Sequence, residues 1–163
     1  MEPVYRLLRA ALQYEKGHSR RSRHILSVLG LCELIADGES LSQEAREIIF
    51  AAAILHDIPI RYCKEVYGDA CQENQRREAG KLVPEFLQKA GYPPEAAEKV
   101  LPLVLGHHCY EKNIDSLLQI LMEADLLVNL LEGEPVSSDF ARRFFKTKTG
   151  RELLDGMLSE NGK

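Results

Sequence analysis

Apolar residues recur at helical spacing in segment after segment of the 163-residue chain, and no segment shows the strict alternation of a half-buried β-strand. The pattern therefore predicts an all-α protein. Proline and glycine punctuate the segments, and a Ser40–Gln43 capping box is predicted to start the third helix. Pro59 is expected to end that helix and to be followed by an irregular stretch around YGDACQENQ. The predicted helices cover about 3–14, 19–36, 41–56, 76–90, 93–106, 114–131, 139–145 and 150–158.

Composition narrows the class of protein. The net charge is −4 at pH 7, and 45% of the residues are hydrophobic. An acidic chain is not expected to bind a nucleic-acid polymer or an anionic membrane as its main partner, because both attract basic surfaces. The four cysteines form no C-x-x-C pair, so they are expected to be reduced thiols. No stretch has the length of a membrane span or the pattern of a secretion signal, and the expected location is cytoplasmic.

Two histidines fall on the apolar faces of predicted helices. His24 shares an i, i+4, i+7 stripe with Val28 and Leu31, and His56 continues the apolar stripe of the third helix through Ala52. His18 lies off the stripe of the second helix and is the weaker candidate. A single inward histidine is commonly a hydrogen-bonded core residue, so neither position alone indicates a site.

Asp125 lies on the same face as Leu121 and Val128 in the most apolar predicted helix, where leucine would be expected. A buried carboxylate must shift its pKa, pair with a cation or bind a metal. Imidazole and carboxylate groups together suit a divalent transition metal or zinc. His24, His56, Asp57 and Asp125 are therefore candidate metal ligands from three helices, with a hydrogen-bonded core network as the alternative interpretation.

The order of these residues resembles the HD-domain superfamily of metal-dependent phosphohydrolases, which is named after an adjacent His-Asp pair. RHILSVLGLCELIA, AAAILHDIPI and ILMEADLLVNL resemble its ligand-bearing segments, and the stretch between them resembles a small bacterial branch. The resemblance covers about residues 18–132. It implies an all-α helical bundle with the metal in the bundle core, held by His24, His56, Asp57 and Asp125, and hydrolysis of a phosphoester by a metal-activated water.

The chain departs from this family at two points. Proline occupies position 59, where glycine is common, and Arg76, Arg77 and Glu78 stand where two-metal members have a further histidine. One divalent ion is therefore favoured, and a second remains open if Glu78 with His107 or His108 substitutes. The ion itself, among Mn, Fe, Co, Ni, Zn and Mg, is not determined by the sequence.

Several further residues are candidates for the chemistry. Asp57 could orient the attacking water or accept its proton. His107 or His108 should face the same cavity because they follow Val100 and Val104 at helical spacing, as a candidate proton donor or phosphate contact, with a polar helix end without a catalytic role as the alternative. Glu78 is a candidate base, with a solvated ion pair as the alternative. The candidate substrate-binding residues are Arg23, Arg61 and Lys64, although charged residues commonly face solvent.

A single domain over residues 1–163 is predicted, with a core of about 18–132 and a C-terminal helical extension of about 136–160. The expected partner is a small phosphorylated metabolite or nucleotide, and the extension could dock on the bundle or on a second copy to form a homodimer. Two other functions stay open: a non-catalytic metal- or nucleotide-binding regulatory module, and a helical interaction protein without a site. The sequence contains neither phosphate-binding glycine motif, G-x-x-x-x-G-K-[ST] or G-x-G-x-x-G.

Overall fold

The computed structural model of the protein describes residues 2–110 and 114–159. These residues form helices and no strand, which confirms the predicted all-α class. The helices are α1 (Glu2–Tyr14), α2 (Ser19–Gly38), α3 (Gln43–Leu55), α4 (Pro59–Tyr67), α5 (Gln72–Ala90), α6 (Glu95–Gly106), α7 (Ser116–Leu131), α8 (Ser138–Phe144) and α9 (Lys148–Ser159).

The centre of the bundle is formed by α2, α3 and α7, which pack against one another. In α3 every residue from Ile49 to Leu55 is buried, and in α7 every residue from Gln119 to Val128 is buried. Helices that are buried on all sides cannot leave polar side chains without partners. His24 on α2, His56 at the end of α3 and Asp125 on α7 are buried in this part of the bundle.

The segment after α3 contains a helix that the sequence does not predict. Pro59 does end α3, but it also occupies the first turn of α4, where its missing N–H costs nothing and its φ suits a helix. The irregular stretch predicted around YGDACQENQ is therefore shorter than expected, because α4 precedes it, α5 begins at Gln72, and only residues 68–71 lie between these helices. α4 ends at Gly68 with a φ of 78°, a left-handed conformation that favours glycine.

The predicted cap of α3 is also displaced. Ser42, with extended backbone, is the N-cap, and its hydroxyl accepts a hydrogen bond from the Ala45 amide. Ser40 has a φ of 55°, which does not suit an N-cap. The Ser40–Gln43 capping box is therefore wrong, although a helix does begin in this segment.

The C-terminal helices pack on the bundle, because α9 contacts both α2 and α7. Phe145 and Leu154 are fully buried there. A Cβ atom at position 150 would lie 2.0 Å from Glu123 Oε2, so the close approach of α9 to α7 requires glycine. Residue 160, the predicted end of the extension, lies outside the described residues.

Within residues 2–110 and 114–159, none of the helices combines the length and the apolar character that a bilayer crossing requires.

Candidate metal centre

Two histidines from different helices meet in the bundle core. His24 on α2 and His56 at the end of α3 are 8% and 1% exposed, and their Nε2 atoms are 3.2 Å apart. Asp125 on α7 joins them, with Oδ1 3.0 Å from His24 Nε2 and 3.6 Å from His56 Nε2. Three segments separated by up to about a hundred residues thus bring their polar groups to one point.

Outer hydrogen bonds fix both rings in one orientation. His56 Nδ1 lies 2.8 Å from the Ala53 carbonyl oxygen, and His24 Nδ1 lies 3.3 Å from Glu132 Oε1. When Nδ1–H donates to these oxygens, the Nε2 lone pairs are directed at each other and at the carboxylates. This is the arrangement that outer partners give to metal-ligating histidines.

Asp57 contacts histidines with both of its carboxylate oxygens. Oδ2 lies 3.6 Å from both His24 Nε2 and His56 Nε2, and Oδ1 lies 3.4 Å from His107 Nε2. His24, His56 and Asp57 offer ligand atoms that all lie within 4.8 Å of one another, and so do Asp57, His107 and His108. Asp57 therefore belongs to two potential metal-binding groups.

His107 carries a buried nitrogen that faces Asp57. Its Nδ1 lies 2.6 Å from the Val104 carbonyl oxygen, and the side chain is only 3% exposed. Its Nε2 has no well-aligned hydrogen bond within the described residues, and Asp57 Oδ1 lies 3.4 Å away. The prediction that one of the two adjacent histidines faces the same cavity as the candidate ligands agrees with this geometry.

The carboxylates of the cluster are ionised. Burial alone would raise the pKa of Asp57, but the neighbouring His56 and His107 hold it well below its usual range. Burial likewise acts to raise the pKa of Asp125, and its contacts with His24 and His56 lower it. Two negative charges in the core are thus kept there by imidazoles.

The pKa values of the two core histidines are shifted upward instead. Burial acts to lower the pKa of His56, but the charge of Asp57 and the contact with Asp125 raise it to about 9. Burial also acts to lower the pKa of His24, but Asp125 and Asp57 raise it above its usual value. Without a metal the cluster therefore holds protons on its imidazoles, and those protons must leave before the nitrogens can bind an ion.

These shifts predict how the stability of metal-free protein depends on pH. A histidine whose pKa is raised on folding contributes stability fully below its unfolded value of about 6.5 and loses that contribution as pH rises through the folded value. The aspartates, whose pKa values are lowered on folding, contribute stability above their unfolded pKa of about 3.9, and this contribution is lost as pH falls below that value. The free energy of unfolding with chelator present should therefore peak between about pH 4 and 6.5 and fall towards pH 9. Urea unfolding across this range measures it, and stability that rises from pH 6.5 to 9 would contradict the coupling.

A divalent cation suits this donor set. The cluster offers imidazole nitrogens already fixed by outer partners, two ionised carboxylates that a cation would neutralise, and the buried Nε2 of His107 beside Asp57. The residues present therefore fit a metal centre held by His24, His56 and Asp57, with Asp125 in contact with both histidines.

A model of the family described as HD domain matches residues 21–130 of the chain. The chain belongs to the HD domain family. Searches of curated proteins and of solved structures gave no match. The matched range of the HD domain includes all four predicted ligands, while Glu132 and the C-terminal helices lie beyond it. HD domain proteins are typically metal-dependent phosphohydrolases.

Two cavities adjoin the candidate metal centre of the HD domain. The open cavity, of about 460 Å³, reaches His24 and Asp57 between the start of α2, α4 and the end of α7. The small cavity, of about 20 Å³, reaches His56, His107 and His108 between α4, α5 and α6. The small cavity has room for about one water molecule, so only the open cavity can hold a substrate.

Of the other predicted site residues, one lines a cavity beside this centre and three do not. Lys64 lines the open cavity. Arg61 instead donates to the main-chain oxygens of Tyr14 and Lys16 and pairs with Glu65. Arg23 is exposed and, like Arg61, is not among the residues that line either cavity. Glu78 is buried, accepts a hydrogen bond from Tyr67 Oη at 2.7 Å and lines neither cavity. The functional roles of these residues remain predictions.

Glu132 and Asn129 are residues of the site that the sequence interpretation does not include. Asn129 and Glu132 follow Asp125 by four and seven residues, one and two helical turns, so they lie on the same face. That spacing could have identified both. Arg76 also lines the small cavity, and the one hydrogen bond of its side chain among the described residues is to Cys109 Sγ, a weak acceptor.

Proposed function

We propose that this HD domain protein is a metal-dependent phosphohydrolase that cleaves a phosphoester of a small metabolite or nucleotide. The observation that carries the proposal is the meeting of His24, His56, Asp57 and Asp125 beside the open cavity. A placement in the small bacterial branch of the superfamily is part of the proposal and rests on sequence resemblance alone.

The ligands proposed for the ion are His24, His56, Asp57 and Asp125. A divalent ion held there would polarise a phosphoryl oxygen and bring the pKa of a bound water from 15.7 towards about 7. The lowered pKa values of the aspartates support this role, because both side chains are charged near pH 7. Glu132 and the Ala53 carbonyl would keep the two imidazoles in the tautomer that presents Nε2.

Asp57 is proposed to orient the attacking water. Its two carboxylate oxygens face different histidines, so it can accept a hydrogen bond without leaving the cluster. Because its pKa lies well below the usual range, it is better suited to hold a water than to remove its proton.

His107 and His108 are proposed to handle protons on the side of the small cavity. Burial and the neighbouring His107 lower the pKa of His108, which is therefore neutral near pH 7 and able to accept a proton. Asp57, His107 and His108 form a second group that could hold a metal, but the Arg76 guanidinium lines the same cavity and opposes another cation. One ion per chain is therefore proposed.

A panel of phosphomonoesters and nucleotides, assayed with Mn, Co, Ni and Mg, tests the activity. We expect phosphate release with at least one of these ions and loss of release after addition of chelator, because the aspartates and histidines need the ion to bind and activate the ester. Metal binding without release of phosphate from any ester would contradict catalysis and would instead favour a regulatory module.

A further inference from the structure

Most of the described residues that line the open cavity have polar or charged side chains. Among the described residues that line it, Ile60 is the one large apolar side chain, and no phenylalanine, tyrosine or tryptophan takes part. Pockets for small molecules are usually lined mainly by apolar and aromatic groups. Recognition of a base commonly uses stacking on an aromatic side chain. The planar groups that line this cavity are the imidazoles of His18 and His24 and the guanidinium groups of Arg20 and Arg21. His24 belongs to the cluster and both arginines are paired with glutamates, which leaves the His18 ring as the surface on which a base could stack.

The polar groups of the wall suit hydroxyl groups. Ser19, Asn129 and Glu132 line the cavity together with the cluster residues. A hydroxyl and an amide can each donate and accept hydrogen bonds, and a carboxylate accepts them. Asn129 Nδ2 lies 3.5 Å from Asp125 Oδ2, so its side chain reaches from the candidate metal centre into the cavity wall.

The cationic side chains of the wall differ in how far their charges are neutralised. Arg20 pairs with Glu134 and lies 3.7 Å from Glu132, and Arg21 pairs with the buried Glu15 at 2.7 Å. Lys64 is the exception, because it forms no hydrogen bond or ion pair within residues 2–110 and 114–159. Its ammonium group is thus available to an anionic ligand.

We infer that the substrate is a phosphorylated sugar or similar polyhydroxylated metabolite with a second anionic group, rather than a nucleotide. The inference rests on the proposed function, which places the reacting phosphoryl group beside His24 and Asp57. The hydroxyl groups would then meet Ser19, Asn129 and Glu132, and the second phosphate or carboxylate would meet Lys64. A volume of about 460 Å³ is sufficient for such a molecule.

Two pairs of substrates test the proposed substrate class. Ribose 5-phosphate and adenosine 5′-monophosphate share the same phosphorylated sugar and differ by the base, and fructose 6-phosphate and fructose 1,6-bisphosphate differ by the second phosphate. We expect kcat/KM to be no higher for the nucleotide than for ribose 5-phosphate, and about tenfold or more higher for the bisphosphate than for the monophosphate. A nucleotide preferred tenfold over ribose 5-phosphate would overturn the inference.

Equilibrium binding separates this inference from the proposed activity. Phosphonate analogues of the two fructose phosphates, whose C–P bonds resist hydrolysis, are titrated into metal-loaded protein by calorimetry. We expect the bisphosphonate to bind about tenfold more tightly, whether or not any ester is cleaved. Equal binding of the two analogues would overturn the inference, whereas tight binding without turnover would contradict only the proposed catalysis.

Lys64→Gln tests the residue that is proposed to select the second anion. We expect this variant to bind the bisphosphonate about tenfold more weakly and the monophosphonate unchanged, and Lys64→Arg to recover most of the loss. Lys89→Gln is the matched control, because Lys89 is 70% exposed on α5 and pairs only with Glu85 among the described residues. Bisphosphonate binding in Lys64→Gln equal to that in wild type would overturn the assignment.

Discussion

Alanine at position 56 or 57 should abolish metal binding and hydrolysis while the helical fold remains. Loss of an outer partner of a metal ligand costs about 10- to 100-fold in affinity or activity, and loss of a ligand should cost more. His56 is 1% exposed with Nε2 directed into the cluster, and Asp57 contacts three histidines. Elemental analysis of protein purified without chelator, phosphate release and circular dichroism measure the three outcomes.

Matched variants separate loss of the ion from general damage. Asp57→Asn keeps the shape of the side chain and removes its charge, so it should also lose the ion and the activity. Asp155→Ala removes an aspartate that is 65% exposed and pairs with Arg142, and it should keep both. Full metal content in both His56→Ala and Asp57→Ala would show that the metal-centre assignment is wrong.

Glu123→Ala should strongly lower the stability of the protein. Glu123 is fully buried on α7, and its Oε1 accepts hydrogen bonds from the amides of Lys146 at 2.6 Å and Thr147 at 3.1 Å and from Gln119 Nε2 at 2.7 Å. Its Oε2 accepts from the Thr147 hydroxyl. Removing the carboxylate takes this acceptor from the Lys146 and Thr147 amides and the Thr147 hydroxyl, which are partly buried, while Gln119 Nε2 keeps its bond to the Phe144 carbonyl oxygen. We therefore expect the free energy of unfolding to fall by about 3 kcal/mol, measured by urea titration.

Two variants control this measurement. Glu152→Ala removes a glutamate that is 66% exposed on α9, and it should change the free energy of unfolding by less than about 0.5 kcal/mol. Glu123→Gln keeps an acceptor oxygen and should lose less than Glu123→Ala. If Glu123→Ala is as stable as Glu152→Ala, the carboxylate does not join the extension to the bundle.

The same contact bears on domain organisation. Glu123 precedes Asp125 by two residues on α7 and holds the segment that leads into α9. A loss of stability in Glu123→Ala with a single unfolding transition would support our proposal that the chain is one domain, with the extension as part of it. It would also favour docking of the extension on the bundle over docking on a second copy.

Helical periodicity was sufficient to predict the class and the inward direction of the candidate ligands. His24 and Asp125 can be identified from the sequence because each is a polar residue on an otherwise apolar helical stripe, and such a stripe faces the interior. α4 is not predicted, because a proline that ends one helix also favours the first turn of the next, and the sequence pattern does not separate these two roles.

The roles of the charged side chains could not be sorted from the sequence. Arg61 and Lys64 are three residues apart on α4, yet Arg61 contacts the main-chain oxygens of Tyr14 and Lys16 at the end of α1, whereas Lys64 lines the open cavity. Glu78 is directed to Tyr67 on the preceding helix. Such partners depend on how separate helices pack, which residue spacing within one helix does not specify.

In anomalous scattering from crystals grown without chelator, we expect a strong peak at the absorption edge of the bound ion, about 2.0–2.2 Å from the Nε2 atoms of His24 and His56 and from carboxylate oxygens of Asp57 and Asp125. No peak among these side chains, even after soaking with divalent metals, would contradict the assignment of the metal centre.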